Sequence, residues 1–219
     1  MKRALWITLF AIAMAAVESA VVVYLRALHT GDAPLSVLQY ALPNRLLGIE
    51  VAREAATLVM LITVAAIAGA SAWEGLLYFA LMFGVWDIFY YVWLYAFIGW
   101  PPSLFTWDIL FLIPVPWLGP VIAPVIVSLC LIGGALWLLD RPDVRLSRRA
   151  WALASLGCVL VLVSFMIDYR YGLMRADPPR FRWEIFVPGI IVAVGGVVLD
   201  RALPLLFPFF SKSKSGLSS

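Results

Sequence analysis

Acidic side chains lie inside stretches of this sequence that are otherwise apolar. Glu18, Glu50, Glu54 and Asp87 stand among aliphatic or aromatic neighbours, and the last falls within "GVWDIFYYVW", residues 84–93. An isolated charge at the centre of a bilayer costs roughly 2.5–3.5 kcal/mol on insertion scales. Such carboxylates are therefore expected to be paired with a cation, protonated or bound to a ligand.

One arginine stands close enough in the sequence to neutralise some of these acids. Glu50 and Glu54 are four residues apart, so a helix would place them on one face, and Arg53 would lie within the same arc. Arg53 is therefore the expected counter-charge for the acids around it.

Aromatic hydroxyls follow Asp87 at helical spacing. Tyr91 and Tyr95 continue its row at four and eight residues, and Tyr90 lies beside it. We expect these hydroxyls to donate hydrogen bonds to Asp87. Gly84, one turn earlier, would let the backbone of a neighbouring helix approach closely.

Convergence of these side chains would create a polar chamber between helices. Its candidate binding residues are Glu18, Glu50, Arg53, Glu54, Asp87, Tyr90 and Tyr91. The chamber could bind a cation, a proton or a small amphiphile. It could instead belong to a membrane-embedded enzyme that uses carboxylates as acid and base on a lipid or isoprenoid, or the charges could hold together a scaffold subunit of a membrane complex. No catalytic residue is assigned, and the absence of DDxxD and GxSxG motifs favours a protein that is not an enzyme.

Histidine and cysteine usage argues against metal and redox chemistry. His29 is the single histidine, which excludes bis-histidine haem, HExxH zinc and His-box iron sites. Cys130 and Cys158 lie in apolar runs without a CxxC pattern and are expected to behave as small hydrophobic residues. The sequence therefore predicts neither a metal site nor a cofactor.

Hydropathy indicates the elements that must position the chamber. Of the 219 residues, 64% are hydrophobic and 13% are charged, whereas soluble domains have about 45–50% and about 25%. We predict an all-α, polytopic membrane protein, a six-helix transmembrane bundle whose fourth segment is broken by proline. The predicted spans are residues 4–26, 50–71, 74–98, 108–139 (irregular), 150–168 and 184–203.

The fourth segment contains "IPVPWLGPVIAP", in which each proline removes a backbone donor. One interpretation is a discontinuous helix that closes the chamber. The other is a hairpin that dips in from the surface, followed by an ordinary span from about Trp117. Asp108 is expected in the first turn of a helix capped by Thr106, where an acid is favoured by the helix dipole.

Residues 1–210 are predicted to form a single transmembrane domain, and residues 211–219 a polar C-terminal tail. The distribution of basic residues beside the spans favours both termini in the cytoplasm. The same distribution argues against a nucleic-acid partner. The predicted partners are the lipid bilayer, a cation, proton or lipid-like ligand, and, for a scaffold, another membrane protein.

Residues 73–129 carry the motifs "FGVWDIFYYVWL", "GWPPSLFTWDILFLIPVPWLGP" and "APVIVSL". In these motifs the chain resembles uncharacterised multi-pass inner-membrane proteins of bacteria. The resemblance implies a location in the inner (plasma) membrane of a bacterial cell. It implies no activity and no functional residues.

Overall fold

A computed structural model describes residues 2–29, 44–141, 144–173 and 180–206, and these are mostly helical (79%). Six of the helices are long and apolar enough to cross a membrane, as the sequence predicted. A short β-hairpin, which the all-α prediction did not include, separates the third helix from the fourth. The elements are α1 (Lys2–His29), α2 (Asn44–Ala68), α3 (Ala72–Ile98), β1 (Trp107–Phe111), β2 (Trp117–Pro120), α4 (Ile122–Leu139), α5 (Arg148–Met166), α6 (Tyr169–Leu173) and α7 (Trp183–Leu206).

Local capping fixes both ends of α3. The Ser71 hydroxyl accepts a hydrogen bond from the Glu74 N–H, while the Glu74 carboxylate accepts one from the Ala70 N–H. This reciprocal arrangement satisfies free donors at the start of a helix. At the other end, Gly99 adopts φ 67° and its N–H bonds to the Tyr95 carbonyl, so the helix stops there.

The proline-rich segment forms an antiparallel hairpin. Asp108 is opposite Gly119 in the register, and the two prolines of the turn, Pro114 and Pro116, lie between the strands. The expectation that Asp108 begins a helix is wrong, because prolines six and eight residues later cannot donate within a helix and the strand finds a partner instead. After the hairpin, α4 begins with Pro124 in its first turn, where the missing N–H has no partner to lose.

The fold divides into two compact units. The first covers residues 1–142 and 168–181, and the second covers residues 143–167 and 182–219. The single domain at residues 1–210 stays a prediction, and the tail at residues 211–219 lies outside the described residues. His29 ends α1, and its side chain also lies outside the described part.

In the first unit, α3 is the central helix and packs against α1, α2 and α4. The Trp93 indole donates to the Ile12 carbonyl at 3.0 Å, and the Ser19 hydroxyl donates to the Tyr90 carbonyl at 2.9 Å. These bonds fix the rotation of α1 against α3. The predicted close approach at Gly84 is confirmed, because a Cβ there would lie 2.7 Å from the Ser128 carbonyl oxygen of α4.

In the second unit, α5 and α7 pack through small residues. A Cβ on Gly157 would lie 2.5 Å from the Gly189 carbonyl oxygen, and a Cβ on Gly196 would lie 2.5 Å from the Leu153 Cβ. Ser147 caps α5 and also donates to the Asp200 carboxylate of α7. Close packing of small residues is a common way to join helices where lipid supplies no hydrophobic drive.

Candidate functional site

A polar cavity of about 40 Å³ lies within the first unit. Its walls come from α1, α2, α3 and β1. The lining residues are Glu18, Val22, Arg53, Glu54, Thr57, Trp86, Asp87, Tyr90, Tyr91, Ile109, Leu110 and Phe111. The structure therefore places six of the seven candidate residues around one space, and the seventh, Glu50, does not line it but is paired with Arg53.

Arg53 joins the first two helices. Its guanidinium forms ion pairs with Glu18 of α1 and Glu50 of α2, and its Nε donates to the Glu50 Oε1 at 2.9 Å. The Thr57 hydroxyl donates to the Glu18 Oε1 at 2.5 Å. Both glutamates are about 95% buried, with exposures of 6% and 4%. One cation thus neutralises two buried carboxylates, although it is shared between them.

Glu54 attaches the hairpin to α2. Its Oε2 accepts a hydrogen bond of 2.9 Å from the Leu112 N–H, just beyond the end of β1. Leu112 also packs with Ile109 and Leu118 against Val51 of the same helix. A backbone donor at the edge of a short hairpin would otherwise lack a partner, so this carboxylate stabilises the hairpin in its position beside the cavity.

Asp87 has a hydroxyl partner and no cation partner. The Ser128 hydroxyl of α4 donates to its Oδ2 at 2.7 Å, which the close approach at Gly84 makes possible. Within the described part of the chain, no Lys or Arg side chain forms an ion pair with it. The expected Tyr hydroxyl donors do not reach Asp87: Tyr91 points to another acid, and Tyr95 is 63% exposed.

That other acid is Asp108 of β1. The Tyr91 hydroxyl donates to its Oδ2 at 3.1 Å, and both residues are 7% exposed. Asp108 lies outside the six candidate spans. Burial raises the pKa of its carboxyl to about 7; the Tyr91 bond opposes this rise, and the charge of Asp87 adds to it.

One further donor, the Trp86 indole, faces this cavity without a partner among the described residues. The Trp86 side chain lines the cavity and is 8% exposed, yet its Nε1–H meets no acceptor among the described residues. Buried donors are nearly always satisfied by protein or by ordered water. The Trp86 indole therefore indicates that a hydrogen-bond acceptor, such as water, belongs in this cavity.

The described acidic side chains around the cavity are not arranged as a metal site. No three Asp, Glu, His or Cys side chains of the described ranges are grouped so that they could hold one metal ion. Cys130 and Cys158 are free thiols on α4 and α5, and neither is among the residues that line the cavity.

Several partners in this site were not predicted from the sequence. Thr57 follows Arg53 by four residues, so helical spacing alone could have indicated it. Ser128 gave no such signal, because single serines are common in apolar helices. Leu112 contributes only its backbone N–H, which no side-chain pattern can indicate.

The six long apolar helices are compatible with a multi-pass membrane protein. Comparisons with protein-family models, with curated proteins and with solved structures find no match for the chain. The resemblance of residues 73–129 to bacterial inner-membrane proteins therefore stays a prediction.

Proposed function

We propose that this chain is a multi-pass membrane protein whose cavity binds and exchanges protons at Asp87. Large apolar side chains on the helix surfaces support residence in a bilayer: Ile67 is 81% exposed, Trp6 is 70% exposed and Val17 is 66% exposed. Such surfaces would be unfavourable in water and are favourable against lipid. A bacterial inner membrane, with both termini in the cytoplasm, is the setting we propose for it.

The observation that carries the proposal is an excess of carboxylates over cations at the cavity. Glu18, Glu54 and Asp87 line it, while Arg53 is the one cation among its described lining residues and already serves two glutamates. A buried carboxylate without a counter-charge is strongly disfavoured. Asp87 avoids this cost by taking up a proton. The Ser128 hydroxyl then remains beside the neutral carboxyl group.

The volume of the cavity indicates which ligands it can hold. Sites for organic ligands typically measure roughly 300–1,000 Å³, whereas about 10–15 Å³ is enough for one water. A cavity of about 40 Å³ therefore has room for a few waters. Waters beside a carboxyl group are what proton uptake and release require.

One observation favours a second candidate, the scaffold subunit. The ion pairs of Arg53 join α1 to α2 and would stabilise a helical bundle even without any proton exchange. We assign that structural role to Glu18, Glu50 and Arg53. Asp87 differs from them, because it lines the cavity and has no cation partner among the described residues.

The test is infrared difference spectroscopy on the purified protein in lipid. Raising the pH from about 5 to about 9, a range that spans shifted carboxyl groups, should remove a protonated carboxyl C=O band. Asp87→Asn should eliminate the Asp87 part of that band, whereas the part that Asp108 contributes should remain and should be lost in Asp108→Asn. The matched control is Asp140→Asn, because Asp140 is an exposed acid at the end of α4 and should leave the band intact.

A second variant guards against a folding defect in Asp87→Asn. Ser128→Ala removes the hydroxyl donor and should move the band to higher frequency without eliminating it, since the C=O loses a hydrogen bond. A band that persists unchanged in Asp87→Asn, or ignores Ser128→Ala, would overturn the assignment to Asp87.

A further inference from the structure

We propose that Tyr91 and Asp108 form the route by which protons pass between the cavity and the exposed loop before β1. The inference rests on the proposed function of Asp87 and goes beyond it by naming the exchange path. The hydrogen-bonded pair of Tyr91 and Asp108 then has a role in proton transfer, which a purely structural cavity would not require.

The first step of the route follows the surface of α3. Asp87 and Tyr91 are one turn apart on this helix, and both side chains line the cavity. The Tyr91 hydroxyl lies 3.1 Å from the Asp108 Oδ2 on β1. Tyr91 therefore lies at the cavity wall, and its hydroxyl donates to a second carboxyl group.

The second step leads from Asp108 to the outside. Asp108 is the second residue of β1, and residues 102–105 of the preceding loop are exposed. Hydrogen bonds from Val121 to the Thr106 carbonyl and from Ile122 to the Leu104 carbonyl fix this loop to the start of α4. Among the acids described around the cavity, Asp108 is the one nearest in sequence to an exposed loop.

A water molecule in the cavity would bridge the Asp87 carboxyl group and the Tyr91 hydroxyl. The unpartnered Trp86 N–H requires an acceptor, and the Asp87 carboxyl requires a group that can donate as well as accept. Water meets both conditions, and the cavity has room for it. This observation is independent of the acids themselves and points to the same guest.

The proton balance of the transfer is simple. Protonated Asp87 gives its proton to a cavity water, and that water passes a proton to the Tyr91 oxygen. At the same time the Tyr91 O–H proton moves to the Asp108 carboxylate. Asp87 ends as a carboxylate, Asp108 ends protonated, and Tyr91 stays neutral throughout, so no redox partner is needed.

The surrounding charges favour one proton shared between the two aspartates. From α3, Tyr90 and Asp87 influence Asp108, and the Asp87 charge disfavours a second charge on it. From α2, Arg53, Glu50 and Glu54 face the same region, with the arginine held by its own glutamate partners. A proton that leaves one aspartate is therefore stabilised on the other.

The rate of hydrogen–deuterium exchange at Asp87 tests this route. After rapid mixing into D₂O, the isotope shift of the Asp87 carboxyl band reports how fast its proton is replaced. Tyr91→Phe and Asp108→Asn should each slow that exchange by about tenfold or more, because losing one relay group raises the activation free energy of proton transfer. The matched control is Tyr95→Phe, one turn further along α3, where the ring is 63% exposed.

The two proposals fail in different ways. Unchanged exchange rates in both Tyr91→Phe and Asp108→Asn, with the Asp87 band present, would overturn the route and leave proton binding at Asp87 intact. Absence of any Asp87 band in the unmodified protein would overturn the proposed function itself. Slowing in Tyr95→Phe equal to that in Tyr91→Phe would also overturn the route, because it would show a general effect on α3.

Discussion

Replacement of Arg53 by methionine should destabilise the protein through the carboxylates it leaves behind. The Arg53 side chain is 23% exposed, and its partners Glu18 and Glu50 are 7% and 5% exposed as side chains. Removing one partner of a buried pair costs about 3–5 kcal/mol. Partial exposure of the arginine places the expected loss near the lower limit, at about 3 kcal/mol.

This loss should be largely reversed when the acids are neutralised as well. In Arg53→Met combined with Glu18→Gln and Glu50→Gln, no buried charge is left without a partner. Polar or apolar replacements of a whole buried ion pair are often nearly neutral. The triple variant should therefore recover at least half of the stability that Arg53→Met loses.

The assay is thermal unfolding of the purified protein in detergent, followed by the fluorescence of its 10 tryptophans. A loss of about 3 kcal/mol corresponds to a lower midpoint by about 6–12 °C for a chain of this size. Arg45→Met is the matched control, since Arg45 is an exposed arginine of the same helix. A triple variant as unstable as Arg53→Met, or an Arg53→Met no worse than Arg45→Met, would refute this reasoning.

Three further predictions use other features of the fold. Gly84→Leu should separate α3 from α4, because its Cβ would lie 2.7 Å from the Ser128 carbonyl oxygen. The thermal midpoint should fall, and the Asp87 carboxyl band should shift because its hydrogen bond is lost. Gly133→Leu, at a position where the space is open, should change neither the midpoint nor the band. Because burial raises the pKa of Asp108 from 3.8 to about 7, the folded protein holds a proton there that the unfolded chain releases, so this group's contribution to stability is complete below about pH 4 and is lost as the pH rises to about 7. Asp108→Asn should flatten that decline in a series of thermal midpoints against pH, and an unchanged slope would contradict the burial of the charge. Gly157→Leu should lower the midpoint through the α5–α7 contact while leaving the Asp87 band unchanged, and a changed band would mean that the two units are not independent in this respect.

The helices could be predicted from the sequence because apolar length alone determines them. The predicted span at residues 74–98 lies within α3, which begins at Ala72. The predicted fourth span, residues 108–139, ends where α4 ends but begins too early, because the helix starts only at Ile122. The grouping of Glu18 with Arg53 followed from the cost of isolated charges, because that cost favours pairing a buried carboxylate with a cation or with polar groups.

A hairpin was one of the two interpretations of the fourth segment, but its strands could not be predicted. The motif "FTWDIL" fits a capped helix start as well as a strand, and only pairing with residues 117–120 decides between them. Tyr91 was expected to donate a hydrogen bond to Asp87. Because β1 packs beside α3, the Tyr91 hydroxyl donates to Asp108 instead. Contacts between elements that are distant in the sequence override the spacing within one helix.

The β-hairpin also imposes an order on the biogenesis of the protein. A two-stranded ribbon has edges of unpaired backbone groups, which hydrocarbon cannot satisfy, so it cannot enter a bilayer alone as a helix can. Its Leu112 N–H finds an acceptor on Glu54, a residue that the ribosome makes much earlier. In the membrane setting that we propose, the first three helices are therefore inserted and assembled before the ribbon packs beside them.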